Sequence, residues 1–574
     1  MKGIPASDGV AIGPVFIWED KDPVIDKKPI HDTKKALEKL DQAVEDSKNQ
    51  LKKIQKKARQ SLGESEAQVF DAHLLLMEDP EWIGKIQTLI ENEKVCSEYI
   101  VQKVTNEFVA VFEAMDNEYL KARASDLKDV SGRLIKNILG LATDLSDMGS
   151  EPVIIVAKDL TPSDTAQLDK EAVLGFITEQ GNKTSHSAII ARTMGIPALV
   201  GARGLLESLE AIESQNIKLA FDGNTGEIHI NPEVDIIRKY NEKIEEEKKM
   251  ANLNESVRGL KSCSRDGFEV ELACNIAKPE EADLVVESDG EGVGLFRSEF
   301  LFMDRDQPPS EDEQYLAYKT AVEKLKGRPL IVRTLDAGGD KQIPYLNIDE
   351  EMNPFLGYRA LRICLDDEEL FRPQIRSILR ASAHGQVKIM LPMVATMNEF
   401  RRAKALVESE KAKLLSDGIR FDPEIELGIM VEIPSVAVLA HKFAKEVDFF
   451  SIGTNDLTQY TLAADRMNAK LGKLYNHRNP AVLGLIKMVI DAAEKEGKWV
   501  GMCGEAAGDK YMIPILLGMG LKEFSMAPSS ILPSRRLIRS LSAKDCKVLA
   551  NDVLNMNDVE EIEKKMEAFL MQYK

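Results

Sequence analysis

The sequence predicts a multidomain α/β protein: a small α/β domain with a helical insertion, followed by a C-terminal (β/α)8 barrel. Three observations predict it. Residues 260–574 alternate eight strand-like runs with helical patterns, the runs falling at 270–276, 291–296, 329–334, 387–393, 426–431, 447–452, 498–502 and 521–525. Short β-type runs fill 153–230, whereas 33–142 carry helical periodicity. At 574 residues the chain is also too long for one core.

Taken in order, GVAIGPVFIW at 9–18 reads as a glycine-punctuated strand. Leu37, Leu40, Val44, Ser47, Leu51 and Ile54 then recur in steps of three and four between lysines and glutamates, which marks an amphipathic helix. Further helices are predicted at 65–78, 81–94, 96–118 and 127–142, broken at Pro80 and near Ser125. After Pro152, strands are predicted at 153–156, 173–178, 198–200, 217–221 and 227–230. The strand at 9–18 has no partner among helices, so it is expected to join these. The expected domains are residues 1–20 with 145–232 (α/β), 21–144 (helical insertion), 233–259 (charged linker helix) and 260–574 (barrel).

Composition narrows the function. Apolar content of 44% with mixed charge indicates a folded globular protein, and a net charge of −20 argues against nucleic acid or an anionic membrane as partner. The six cysteines, Cys96, Cys263, Cys274, Cys364, Cys503 and Cys546, form no CxxC pair, which predicts reduced thiols. MKGIPASDGVAIGPV lacks an apolar h-region and no run reaches the length of a membrane span, so a cytoplasmic location without membrane insertion is expected.

Two regions carry chemistry. In Gly181–Gly201, GNKTSHSAIIARTMGIPALVG, a buried strand leads to a loop and His186 opens a helix that Thr184 or Ser185 can cap. Free N–H groups and the positive dipole end suit a phosphate there. A capping-loop histidine without chemistry would look the same. The second region is the set of barrel strand ends, where a (β/α)8 fold places its site. They deliver Arg297 and Glu299; Arg333, Asp336 and Asp340; Arg359; Glu432; Asn455, Asp456 and Arg466; and Cys503 with Glu505. Several arginines imply a substrate with phosphate and carboxylate charges. Glu432 and Asp456, on adjacent strands, can share a hard cation such as Mg²⁺. The residues alone therefore indicate a Mg²⁺-dependent enzyme acting on a small phosphorylated carboxylate.

The motifs GNKTSHSAIIARTMGIPALVG, GLFRSEF, RTLDAGGDK, MVEIPS, GTNDLTQY and MCGE, together with DLTPSDTAQL at 159–168, resemble those of the phosphoenolpyruvate–protein phosphotransferase family, enzyme I of the bacterial sugar phosphotransferase system. The likeness covers nearly the whole chain and the motifs occur in order. It implies that His186 takes the phosphoryl group of phosphoenolpyruvate, that Arg297 and Arg333 hold that group, and that Arg359, Arg466 and Asn455 bind the rest of the substrate. It further implies Glu432 and Asp456 as Mg²⁺ ligands, Cys503 as the acid that converts the enolate to pyruvate, and Thr165 and Thr184 as hydrogen-bonding support for His186. The small α/β domain would be a swivelling phosphohistidine domain, the helical insertion a dock for the carrier protein HPr, and the barrel the surface of a homodimer.

Met467 follows Arg466 where some relatives carry glycine, which puts the loop bearing Arg466 in question. His73 matches the carrier-binding region in type and equally fits a surface or packing histidine. Two other readings are a regulatory paralogue that binds without turnover and a fragment of a phosphoenolpyruvate-using synthase or dikinase. The intact residue set argues against the first, and the helical insertion against the second.

Overall fold

The structure is a computed structural model that describes the chain except residues 19–22, 24, 62–66, 68, 114–117, 142–150, 170–171, 183–184, 213–216, 304, 339–342, 347, 350 and 574. The backbone alone is described at 60–61, 113, 118–122, 125, 186, 344 and 469. The chain divides into two compact units, Met1–Met250 and Ala251–Lys574.

In the first unit a seven-stranded sheet has the order β1-β5-β4-β3-β2-β6-β7. Its strands are β1 (Ile4–Ser7), β2 (Val10–Trp18), β3 (Val153–Ala157), β4 (Val173–Thr178), β5 (Ala198–Val200), β6 (Lys218–Asp222) and β7 (Ile228–Ile230). The first strands thus belong to a sheet whose other members begin about 140 residues later: β2 lies parallel to β3 and antiparallel to β6. The sequence reading missed β1, whose IPAS composition is poor in strand formers; it pairs with β5 through a register shift between Pro5 and Ser7. β3 is buried at all five positions, so its VIIVA run is continuous rather than alternating.

Between β2 and β3 stand the helices Thr33–Ser61, Val69–Met77, Pro80–Glu93, Ser97–Glu113 and Glu118–Leu139. Leu40, Leu51 and Ile54 are buried in their shared core with Trp82, Ile86 and Ile90. Asp79 caps the helix that Pro80 opens, accepting from the Glu81 and Trp82 amides, which is why the chain breaks there. The predicted break near Ser125 is not present: Glu118–Leu139 runs through it, with Ala124, Leu127 and Val130 buried in sequence. Serine weakens a helix only slightly, and this apolar face overrides it.

The second unit is a closed barrel of eight parallel strands in the order β10-β11-β12-β13-β14-β15-β8-β9. These are β8 (Glu271–Ile276), β9 (Val293–Arg297), β10 (Leu330–Arg333), β11 (Val387–Leu391), β12 (Leu427–Val431), β13 (Phe449–Ile452), β14 (Trp499–Met502) and β15 (Glu523–Met526). All eight predicted runs are strands. An apolar cluster of Leu295, Ile331, Met390, Met430, Phe449 and Cys503 fills the barrel interior, so the two mouths are separate. The helix Val234–Glu255 enters this unit from the first; its Tyr240 packs against Val10 and Ala220. Among the described residues no helix is long and apolar enough to cross a membrane.

Candidate active site

Parallel strands that close a barrel aim their last residues at one mouth, and here that mouth is strongly charged. Arg333, the last residue of β10, is buried, and its guanidinium bridges Glu299 (2.7 Å) and Asp336 (3.0 Å). Asp336 uses its other oxygen to accept from Arg359 at 2.8 Å, so one carboxylate ties two arginines together. Burial disfavours the charge of Arg333, but Glu299, Asp336 and Glu432 outweigh it and hold its pKa above the ordinary value. Arg359 is raised for the same reasons, against burial, by Asp336 and Asp456. Both guanidiniums are thus permanent charges in a dry site. Arg297 is exposed at the end of β9 and faces an open cleft of about 540 Å³.

Glu432, one residue past β12, is 1% exposed and accepts from the Met393 amide at 2.9 Å. Met393 lies at φ 51°, a left-handed conformation that turns its N–H to this carboxylate. Burial first, then the charges of Asp456 and Asp336, push the Glu432 carboxyl up to about 8, against the pull of Arg333. Among the described residues Asp456, in the helix Thr454–Leu462, leaves Oδ1 buried without a hydrogen-bond partner, with the Arg466 guanidinium 3.6 Å away.

Among the described residues no three His, Cys, Asp or Glu side chains form a closed metal cage. Two mutually repelling carboxylates, one with an orphan oxygen, instead fit a hard cation that takes its remaining oxygens from substrate and water.

Cys503, one residue past β14, lines the same cleft as Arg297, Asn455 and Glu505. Burial pushes its thiol up to about 12, so the proton stays on sulfur at neutral pH. The Asn455 side chain accepts from the Glu505 amide (3.3 Å), and its carbonyl accepts from the Tyr475 hydroxyl (3.1 Å), which fastens the loop after β14 to the helix after β13. Arg466 lies over the Phe355 ring (5.5 Å to centroid), and its amide donates to Gln459 at 3.0 Å. Met467 is exposed and donates its amide to Asp465, so it directs no side chain into the site.

The barrel therefore brings Arg297, Arg333, Arg359, Glu432, Asn455, Asp456, Arg466 and Cys503 to one mouth. Asp340 lies outside the described residues. The sequence reading missed Asn275, which lines the cleft and donates to the Cys503 carbonyl at 3.0 Å, and Met393. Asn275 sits near the end of β8, which was the available signal, whereas Met393, two residues past β11, acts through its backbone conformation. Tyr460 was also missed; its hydroxyl receives Arg359 at 3.4 Å and donates to the Phe355 carbonyl.

In the first unit His186 is the first residue of the helix His186–Met194, with Ser185 as N-cap accepting from the Ala188 amide at 3.4 Å. The His186 side chain and Thr184 lie outside the described residues. Thr165 is fully buried and donates its hydroxyl to the Thr161 and Pro162 carbonyls (3.0 and 3.1 Å), so its one proton is already committed within its own short helix. His73 is buried, its Nε2 3.4 Å from Asp126, with its ring against Phe70. That is a packing histidine.

Comparison with known proteins agrees along the whole chain. Residues 2–123 match the family "PEP-utilising enzyme, N-terminal", 149–226 match "PEP-utilising enzyme, mobile domain", and 251–543 match "PEP-utilising enzyme, PEP-binding domain". The phosphoenolpyruvate-protein phosphotransferase of Staphylococcus carnosus is 51% identical over 562 residues, covering 98% of this chain and 97% of that protein. Those of Priestia megaterium and Bacillus subtilis are each 49% identical, with coverage of 97% or more on both sides. The chain belongs to the phosphoenolpyruvate-protein phosphotransferase family, the phosphotransferases that draw on phosphoenolpyruvate.

Proposed function

We propose that this enzyme moves the phosphoryl group of phosphoenolpyruvate first to His186 and then to a histidine of the carrier protein HPr, releasing pyruvate. The observation that carries the reading is the convergence of Arg333 and Arg359 on Asp336 beside Glu432, Asp456 and Cys503. Phosphoryl transfer is chiefly positioning and charge neutralisation, which buried guanidiniums supply without reorganisation.

In this mechanism Arg297 and Arg333 hold the phosphoryl oxygens, while Arg359, Arg466 and Asn455 hold the carboxylate end. A neutral His186 nitrogen attacks phosphorus; the P–O bond to the enol oxygen breaks, and its electrons form the enolate of pyruvate. The Cys503 Sγ–H gives its proton to the methylene carbon, completing pyruvate. A thiol whose pKa burial raises to about 12 keeps that proton until the enolate appears. This enzyme class uses a metal. We assign Mg²⁺ to Glu432 and Asp456, where it would neutralise phosphoryl charge.

The phosphohistidine then passes its phosphoryl group to HPr, docked on the helical insertion of residues 21–144. His186 serves both partners, so residues 1–20 with 145–232 move as a swivelling domain about the linker helix 233–259. We also propose a homodimer formed through the barrel.

The test is incubation with labelled phosphoenolpyruvate and Mg²⁺. Acid-labile label on the enzyme, chased onto added HPr, is expected. Its absence, or undiminished label on His186→Ala, overturns the assignment. Chelation should abolish labelling and Mg²⁺ restore it. Cys503→Ala should slow pyruvate release by roughly 100-fold or more, the usual weight of a positioned acid, with a native circular dichroism spectrum; unchanged turnover would remove Cys503 from the mechanism.

A further inference from the structure

The N-terminal mouth of the barrel, opposite the candidate active site, encloses a second cavity of about 240 Å³ lined by Glu271, Ile331, Lys388, Glu426, Trp499 and Glu523 among others. Glu523, the first residue of β15, is 3% exposed, and among the described residues neither carboxylate oxygen finds a hydrogen-bond partner of good geometry. A buried carboxylate in that state is costly unless something pairs with it. Room for it is made deliberately: a β-carbon on Gly294 or Gly501, in the strands β9 and β14, would collide with its oxygens.

The nearby cations are committed elsewhere. The Lys388 ammonium donates to Glu426 at 2.8 Å and stands over the Trp499 ring, 4.6 Å from its centroid. Lys522 stands over the Phe268 ring at 3.9 Å. Lys388 shows how this mouth holds an ammonium: one carboxylate and one aromatic face, with Phe449 stacked behind Trp499 at 4.5 Å. Glu523 and Glu271 form a second carboxylate position facing the same cavity. Burial, then Glu271, drives the Glu523 carboxyl well above its usual range, Lys388 and the Met502 amide offsetting part.

We propose that this cavity is a binding site for a small primary-ammonium ligand with a short aliphatic stem, such as a diamine, its ammonium paired with Glu523 and Glu271. The chemistry selects this class. Among the described residues no three His, Cys, Asp or Glu side chains converge here, and the ring face and apolar walls favour an organic ammonium over a strongly hydrated bare metal ion. The walls include Val293, Pro329 and Ile331, which suit methylene groups, and Trp499 offers a ring face. An anion would meet three carboxylates.

The probe is 1,4-diaminobutane titrated into the full-length protein by calorimetry, against sodium chloride at matched ionic strength. One saturable site per chain is expected, with proton release that scales with buffer ionisation heat. Glu523→Gln and Glu271→Gln should each weaken binding by about tenfold or more, or about 1.4 kcal/mol, while far-UV circular dichroism stays native. Absence of saturable heat in the wild type overturns the proposal. So does equal affinity in both variants, which would place the diamine on the acidic surface. A Glu523→Gln protein that is more stable than wild type, with no diamine binding in either, would make Glu523 a stability residue only and also overturn it.

Discussion

Asp336 sets the charge balance of the candidate active site. It is 1% exposed and accepts from Arg333 and Arg359 on its two oxygens. Removing it would leave Arg359 without its closest carboxylate in a dry site. Asp336→Ala should therefore cost about 3–5 kcal/mol, the range for breaking a buried ion pair, measured by urea denaturation, whereas Asp336→Asn, which keeps an acceptor, should cost less. The Asn variant should also weaken phosphoenolpyruvate binding, because the two guanidiniums lose the group that aims them. At this scale the sequence was legible where a residue stood at a strand end: Arg297, Arg333, Glu432 and Cys503 needed only the count of strands. It was silent where position depended on backbone geometry. Nothing in LPM at 391–393 foretells that Met393 turns its amide to Glu432, because that depends on a left-handed φ.

Helix ends make the next distinction. Ser185 caps the helix that begins at His186, and Ser310 caps the helix Glu311–Lys324 in a capping box with Glu313. Both should cost about 1 kcal/mol when changed to alanine. The expected difference lies in function: Ser185→Ala loosens the turn that carries His186 and should slow self-phosphorylation, whereas Ser310→Ala should leave it unchanged. Labelling rates on the two variants decide this. Elements with strong periodicity, the barrel strands and Thr33–Ser61, were readable from residue spacing. β1 was not, because Ile4–Ser7 is held by pairing with β5 rather than by propensity. The missing break at Ser125 shows the same competition in reverse, where packing along 118–139 overrode a weak local signal.

For the whole molecule, the buried thiols set a direction for pH dependence. Burial raises Cys274 to about 11 and Cys546 to about 12 from an ordinary value of 9.0. The folded state holds these protons more tightly than the unfolded chain. Their contribution is complete below about pH 9 and is lost as pH rises toward 11–12, by up to about 1.4 kcal/mol per pH unit for each thiol. These thiols therefore leave denaturant midpoints unchanged up to about pH 8.5 and lower them beyond. The decline up to about pH 8 belongs instead to buried carboxyls such as Glu432, which the fold holds up to about 8. A Cys546→Ser variant, less stable overall, should show a shallower alkaline decline.

The scattering of the cysteines has a consequence for timing. Cys96 is buried in Met1–Met250, and Cys364 and Cys546 are buried in Ala251–Lys574, while Cys263 is only partly covered. Thiol-directed alkylation can reach the first three only when the surrounding core opens, so each modification rate dates an opening event rather than a reactivity. One reagent and a peptide map would then read two clocks at once, one in each unit, with Cys263 as the reference tick. If phosphoenolpyruvate slows the barrel thiols and leaves Cys96 unchanged, the ligand's stabilisation is confined to the unit that binds it.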